Sequence, residues 1–192
     1  MPSPYKILHL EQNSEEWFRW RTGGIGASDA PVIMGESPFK SIEALYNEKL
    51  HGSRVTLTPA MARGLRMEPG ARKAYCENRG VQVEALCIEH YEHGWMRASL
   101  DGISACGQHL VEIKCGEATY KQAKRGKIMP CYRAQLQHQL FVTGLKAMDY
   151  WCWTGGKRGI CLTVERDEDY MERLFAREAA FLESLRARGY SP

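Results

Sequence analysis

Residues 95–115 read W-M-R-A-S-L-D-G-I-S-A-C-G-Q-H-L-V-E-I-K-C. In the last seven, His109-Leu110-Val111-Glu112-Ile113-Lys114-Cys115, apolar and polar side chains alternate. A strand sends successive side chains to opposite faces. Glu112 and Lys114 therefore share one face, and Val111, Ile113 and Cys115 share the other. An ordinary amphipathic strand with a surface ion pair shows the same pattern, so the preceding residues have to narrow the choice. Ala98-Ser99-Leu100-Asp101-Gly102 ends a strand with an acid followed by a glycine, and a tight connection lies around Gly107. If the two strands form a hairpin, Asp101 stands near Glu112 at one end of a sheet. Two converging carboxylates are costly unless a cation neutralises them. A small set of hard oxygen ligands suits Mg²⁺, with Mn²⁺ able to substitute.

Outward from this hairpin, the N-terminal side reads as helical. Ser14 precedes a short helix whose first turn carries Glu15 and Glu16, favourable at the positive end of the helix dipole. A glycine-rich stretch, Gly23-Gly24-Ile25-Gly26-Ala27-Ser28-Asp29, leads into a short helix near 29–34. Ser41 caps another helix that runs to about Gly52. Thr58-Pro59 reads as N-cap and first helical position of a long helix ending near Gly80. Strands are expected at 81–90, 95–100 and 109–115. On the C-terminal side, helices are expected at 117–125 and 130–143, the second closed by Gly144. Strands at 147–153 and 159–164 flank the turn Thr154-Gly155-Gly156. A last amphipathic helix, 167–187, carries Tyr170, Leu174, Phe181 and Leu185 on its apolar side. The expected fold is α/β (α+β): a single domain over 1–192 with a small central mixed β-sheet flanked by helices.

Composition bounds the function classes. The 192 residues are 44% hydrophobic and 26% charged, which is ordinary for a globular protein. No apolar run is long enough to span a bilayer, and the N-terminus lacks a basic segment followed by an apolar one. An intracellular, cytoplasmic protein without a membrane partner is the expectation. The seven cysteines form no C-x-x-C pair and read as thiols in a reducing compartment. The net charge of +3 neither demands nor excludes nucleic acid. Basic residues do cluster: Arg19 and Arg21, then Arg63, Arg66, Arg72 and Lys73, then Lys121, Lys124, Arg125 and Lys127. On composition alone these are solvated helix faces.

The helix over 59–79 adds a further acid. Its apolar stripe runs Met61, Leu65, Glu68, Ala71 or Arg72, and Tyr75, so Glu68 falls where the pattern calls for a buried side chain. Such a glutamate is either paired with a basic neighbour or turned toward a site. The combined reading is metal-assisted phosphodiester hydrolysis. Asp101, Glu112 and the backbone carbonyl of Ile113 hold the metal, Glu68 completes a second metal position, and Lys114 positions or activates the attacking water and stabilises negative charge in the transition state.

Asp101…Glu112-x-Lys114 resembles the PD-(D/E)-x-K nuclease signature of restriction-endonuclease-like folds, with Leu100 where proline usually precedes the aspartate. More specifically, the chain from about Trp17 to Trp151 resembles the bacteriophage lambda exonuclease family, also called the YqaJ viral recombinase family. Trp17-Phe18-Arg19-Trp20-Arg21 with Gly24-Ile25-Gly26-Ala27-Ser28-Asp29 is similar to the family's W…R…G-I-x-A-S segment. Met61-Ala62-Arg63-Gly64 with Glu68 is similar to its M-x-x-G…E helix. Tyr132-Arg133-Ala134-Gln135-Leu136-Gln137 is similar to its Y-x-x-Q-x-Q helix. The resemblance implies that Arg21 and Ser28 grip a 5′-phosphate, that Glu68 belongs to the metal site and that Gln135 lies at the active site. It also implies a 5′→3′ exonuclease that acts on double-stranded DNA ends and releases mononucleotides. The 3′ overhang goes to a single-strand annealing protein for recombination. A homotrimer and a phage or prophage gene in a bacterial host are further implications. A chemical basis exists for the phosphate grip, because an arginine fork binds phosphate bidentately and glycine-flanked amides add donors.

Three other readings stay open on sequence alone. One is a different PD-(D/E)-x-K nuclease that cuts internally or prefers single strands. Another is a DNA-binding module that only retains the fold. In the third, Asp101, Glu112 and Lys114 form a structural ion-pair network.

Overall fold

The computed structural model describes residues 4–52 and 58–190. Its elements run β1 (Tyr5–Leu8), α1 (Glu15–Thr22), β2 (Ile25–Gly26), α2 (Ala30–Ile33), α3 (Ile42–His51), α4 (Pro59–Arg79), β3 (Glu84–His90), β4 (Met96–Ile103), β5 (Leu110–Lys114) and α5 (Glu117–Ala123). A 3₁₀ turn (Pro130–Tyr132) then opens α6 (Arg133–Thr143), followed by β6 (Ala147–Cys152), β7 (Ile160–Glu165) and α7 (Glu168–Ala187). The expected helices form, and their caps are the expected ones. Ser14, Ser41 and Thr58 each accept a backbone N–H from the first turn of their helix.

The sheet has seven strands in the order β1-β3-β4-β5-β6-β7, with β2 pairing to β4 off this path. Parallel pairing of β5 with β6 and of β2 with β4 makes the sheet mixed. The architecture is thus a mixed α/β domain with a central sheet flanked by helices, as the sequence pattern indicates. Two strands, β1 and β2, go beyond the expected set. β1 is a four-residue edge strand and β2 only two residues, and both are held by backbone pairing that hydropathy does not encode.

The two faces of the sheet bury different cores. Leu110, Met148, Tyr150 and Cys152 pack with Leu136 and Leu140 of α6. Val111, Ile113 and Trp151 pack with Ala71 and Tyr75 of α4. The alternation read from residues 109–115 is therefore realised, with Glu112 and Lys114 on the α6 side. On α7, Tyr170, Leu174, Phe181 and Leu185 are all buried. The α4 stripe departs from expectation at its start, because Met61 is 44% and Leu65 39% exposed. The sheet lies under the second half of α4, from Ala71 onward, so the first two turns have no apolar layer to meet.

One irregularity positions the site. Leu86 pairs with Leu100 and Glu84 with Ile103, so β4 advances three residues while β3 advances two. Leu100 and Ile103 both enter the same core layer, which strict alternation forbids for residues three apart. A β-bulge at Asp101-Gly102 absorbs the difference, and bulges re-aim side chains in this way. Gly102 is required there, because a Cβ would stand 2.7 Å from Val83 Cγ2 and 2.8 Å from Val111 Cγ1.

Gly102→Ala is therefore expected to cost about 1–3 kcal/mol by overpacking, read as a lowered urea midpoint. A midpoint equal to that of the parent would show that the bulge has room and would remove this constraint on Asp101.

Candidate active site

The ladder between β4 and β5 consists of Gly102–Val111 and Ile103–Leu110 and then ends. Beyond it the strands separate, and the site occupies this gap. Asp101 replaces the missing ladder bond with its side chain, as its Oδ2 accepts the backbone N–H of Ile113 at 2.8 Å. The carbonyl of Lys114 accepts from Trp153, on the β6 side. Backbone carbonyls alternate along a strand, so the carbonyl of Ile113 points the other way, into the gap beside Asp101.

Glu112 is only 2% exposed, and both oxygens of its carboxylate accept hydrogen bonds. Oε1 accepts from Lys114 Nζ at 2.5 Å and from Gln135 Nε2 at 2.7 Å. Oε2 accepts from Gln139 Nε2 at 2.6 Å. Lys114 also donates to Gln135 Oε1 at 3.2 Å, and its ammonium lies 4.5 Å from the centre of the Tyr132 ring. Glu68 arrives from α4, where Arg72 one turn later holds it at 2.5 Å and also donates to the carbonyl of Asp101. Glu68 is thus both paired with a basic neighbour and turned toward the site.

The electrostatics follow from this crowding. Burial, then the neighbouring charges of Glu112 and Glu68, push the Asp101 carboxyl well above the ordinary aspartate value. Burial also raises Glu68, with Glu112 adding to the shift and Arg72 opposing it. Burial opposes the charge on Lys114, but Glu112 and Asp101 outweigh it and hold the ammonium protonated. Next to the site, the Cys115 thiol is pushed up to about 11 by burial and by the two acids Glu68 and Asp101.

These residues fit a hard divalent cation. Among the described residues, no three His, Cys, Asp or Glu side chains stand close enough to enclose an ion alone. Mg²⁺ does not require such a cage, because it keeps several waters and binds through one or two carboxylates. Asp101 and Glu112, with the Ile113 carbonyl between them, form a donor set of that kind. The mutual repulsion that raises Asp101 and Glu68 is what a cation there would relieve.

A second cluster lies on the same edge of β4. Arg21 donates to Ser28 Oγ at 2.8 Å, and its guanidinium lies 5.1 Å from the centre of the Trp17 ring. Ser28 is exposed, so both groups can reach a ligand. Below them the loop is pinned by Lys49, which donates to Gly24 O at 2.6 Å and pairs with Asp29 at 2.7 Å. Burial pushes the Asp29 carboxyl up, but Lys49 and Arg21 outweigh this and hold it below the ordinary value. Asp29 in turn takes the N–H of Gly26 at 2.9 Å. A Cβ on Gly24 would meet Arg97 Cδ and Trp95 O, each at 2.7 Å. Gly26 pairs with Arg97, and Asp101 lies four residues further on, a rise of about 13 Å.

Asp101, Glu112, Lys114, Glu68, Gln135 and the Ile113 carbonyl thus gather at one gap, with Arg21 and Ser28 beside each other along the same strand. Gln139, Arg72 and Lys49 are additional. Gln139 was legible in principle, since it follows Gln135 by one helical turn, as Arg72 follows Glu68. Nothing in the sequence marks Lys49, whose partners lie 20–28 residues earlier.

The sequence model of the YqaJ-like viral recombinase domain family matches residues 16–146. The uncharacterized protein YqaJ of Bacillus subtilis (strain 168) is 25% identical over 189 residues, which are 95% of this chain and 59% of that protein. An uncharacterized protein of Acanthamoeba polyphaga mimivirus is 29% identical over 161 residues, 76% of this chain and 29% of that one. The chain thus spans less than two thirds of both relatives. The structure of the alkaline exonuclease LHK-Exo from Laribacter hongkongensis superimposes with a TM-score of 0.79 at 29% identity, covering 91% of this chain and 94% of that one. LHK-Exo is also known in complex with dAMP. The matched span contains Arg21, Ser28, Glu68, Asp101, Glu112, Lys114 and Gln135, and this chain belongs to the YqaJ-like viral recombinase domain family.

Proposed function

We propose that this chain is a Mg²⁺-dependent deoxyribonuclease, with Mn²⁺ as a substitute. It digests one strand of duplex DNA 5′→3′ from a 5′-phosphorylated end and releases mononucleotides. The 3′ overhang passes to a single-strand annealing protein, in the cytoplasm of a bacterial host carrying the gene on a phage or prophage. The family resemblance adds a homotrimer as the working assembly. The observation that carries this reading is the gap between β4 and β5, where an acid held by a bulge meets a buried glutamate and a protonated lysine. Likeness to LHK-Exo supports exonuclease chemistry, and its complex with a mononucleotide supports release of single nucleotides.

The chain's own groups divide the work. Arg21, seated on Trp17, and Ser28 bind the terminal phosphate through charge-assisted bonds. Lys49 neutralises Asp29 beneath them, so the Arg21 charge is left for the ligand. Asp101, Glu112 and the Ile113 carbonyl would hold the cation, with Glu68 extending the donor set. When bound, Mg²⁺ supplies Lewis-acid stabilisation of the phosphate and its attacking water. Lys114, which donates to Glu112 and lies over the Tyr132 ring, positions or activates the attacking water and donates to phosphoryl oxygens as negative charge builds. Gln135 and Gln139 fix the Glu112 carboxylate from one side of α6. The separation of about 13 Å along β4 lets a bound terminus present its first phosphodiester to the acids.

Linear duplex DNA labelled on one strand, with a 5′-phosphate or a 5′-hydroxyl, should release mononucleotides from the phosphorylated strand in Mg²⁺ and none in EDTA. Internal fragments would favour an endonuclease, and no cleavage by folded protein in Mg²⁺ or Mn²⁺ would leave a binding module. Lys114→Ala is expected to bind DNA but cleave about a hundredfold more slowly, close to 3 kcal/mol in the transition state. Near-normal turnover would sink that role. Arg21→Ala should abolish the preference for 5′-phosphorylated over 5′-hydroxyl ends, and an unchanged preference would remove Arg21 from the phosphate site.

A further inference from the structure

α5 begins three residues after β5 ends, so its first turn follows directly on Lys114. Thr119 is buried in this turn, and α5 packs on β6, whose Cys152 pairs with Lys114 in the sheet. From there the helix carries Lys121, with Lys124 as its C-cap and Arg125 in the turn that follows. Ala123, like Thr119, is buried. Lys127 follows the helix, and the chain then returns to Tyr132 and Gln135 at the site. The basic stretch is therefore bracketed in sequence by the two halves of the candidate active site.

A cavity of 530 Å³ adjoins this helix, lined in part by Tyr120, Lys124, Asn78 and Arg158. Arg158 is fixed at its rim, because its carbonyl accepts the Tyr120 hydroxyl at 2.9 Å. Lys121, Lys124, Arg125, Lys127 and Arg158 are all exposed, and no acid pairs with them among the described residues. The neighbouring acids are already engaged. Glu117 pairs with Lys157, and Asp149 is held by Arg79 and Tyr75. Two of these cations, Lys124 and Arg158, line the cavity and the other three lie in the same short stretch as Lys124; in a chain whose whole formal charge is +3 they concentrate positive charge at this end of α5.

We propose that the α5 face and the adjoining cavity form a DNA-backbone exosite that binds phosphodiesters outside the cleaved nucleotide. Lys121 and the C-cap Lys124 lie about 3 and 8 Å along the helix beyond Thr119, with Arg125 in the next turn, so these side chains are placed for phosphates adjacent to the reacting one. The inference rests on the nuclease reading for its substrate, but its test does not require turnover.

The test compares the parent protein with the triple variant Lys121→Ala, Lys124→Ala, Arg125→Ala, all at exposed positions and checked for an unchanged melting temperature. Binding of 5′-phosphorylated duplex and of single-stranded DNA is followed by fluorescence anisotropy in EDTA across a salt series. The variant should bind at least about tenfold more weakly. Its plot of log affinity against log salt should be shallower by about 2, since each phosphate that is no longer neutralised lowers the slope by about 0.7–0.9. The DNA form that shows the change identifies the strand bound. In Mg²⁺, KM should rise while kcat is kept. Unchanged affinity and slope with both DNAs would overturn the exosite even if the protein cleaves, and would leave an acidic protein surface as the fitting partner. Weakened binding in a protein that never cleaves would uphold the exosite and remove the nuclease reading instead.

Discussion

A carboxylate as deeply buried as that of Glu112 can persist only if its charge is answered on every side, since removing an ion from water costs several kcal/mol even after relaxation. The fold answers it with three groups, Lys114 from the same strand and Gln135 and Gln139 from α6. This requirement ties the helix to the sheet in one rotation. With Gln135 and Gln139 facing Glu112, Leu136 and Leu140 enter the core layer. Gln137 meets Glu165 and Asp167. His138 lies between Glu178 and the carbonyl of Arg97. A helix polar on so many faces is uncommon in a core, and this rotation gives Gln135, Gln137, His138 and Gln139 each a partner, although Gln139 Oε1 is buried without one.

The same rotation links the two candidate subsites. His138 bonds the backbone of Arg97, the β4 residue that pairs with Gly26 and whose side chain packs against Gly23 and Gly24. One helix therefore braces the acids at one end and the glycine-rich loop at the other. Placing both candidate subsites along one strand edge fixes the distance between them.

The gap between β4 and β5 also depends on restraint. Had the ladder continued past Gly102–Val111, the backbone groups of Ile113 would have been used up in pairing. The bulge stops it, and the side chain of Asp101 takes the N–H while the Ile113 carbonyl remains available to a cation. Arg72 closes the remaining side by holding the carbonyl of Asp101 and the carboxylate of Glu68 together. The chain thus assembles acids that repel one another, and the basic groups around them hold that arrangement together.

By itself, the amino-acid sequence determined the elements and the chemical inventory. Period two over 109–115, the caps at Ser14, Ser41 and Thr58, and the turns at Gly107 and Gly144 are local signals, so the helices, most strands and the shared face of Glu112 and Lys114 were legible. The acids, the lysine, the Arg21–Ser28 pair and Gln135 were legible by type and by resemblance. Tertiary structure alone decided what depends on partners distant in the chain. β1 and β2 exist through backbone pairing, and the bulge at Asp101 appears only against the register of β3. Lys49 finds Asp29 and Gly24 across a loop closure, and Gln139 becomes a site residue only when α6 docks in one rotation. The sheet also reaches only the second half of α4, which leaves Met61 and Leu65 exposed. Local patterns record what a segment prefers; which neighbour satisfies that preference is settled by the packing of the whole chain.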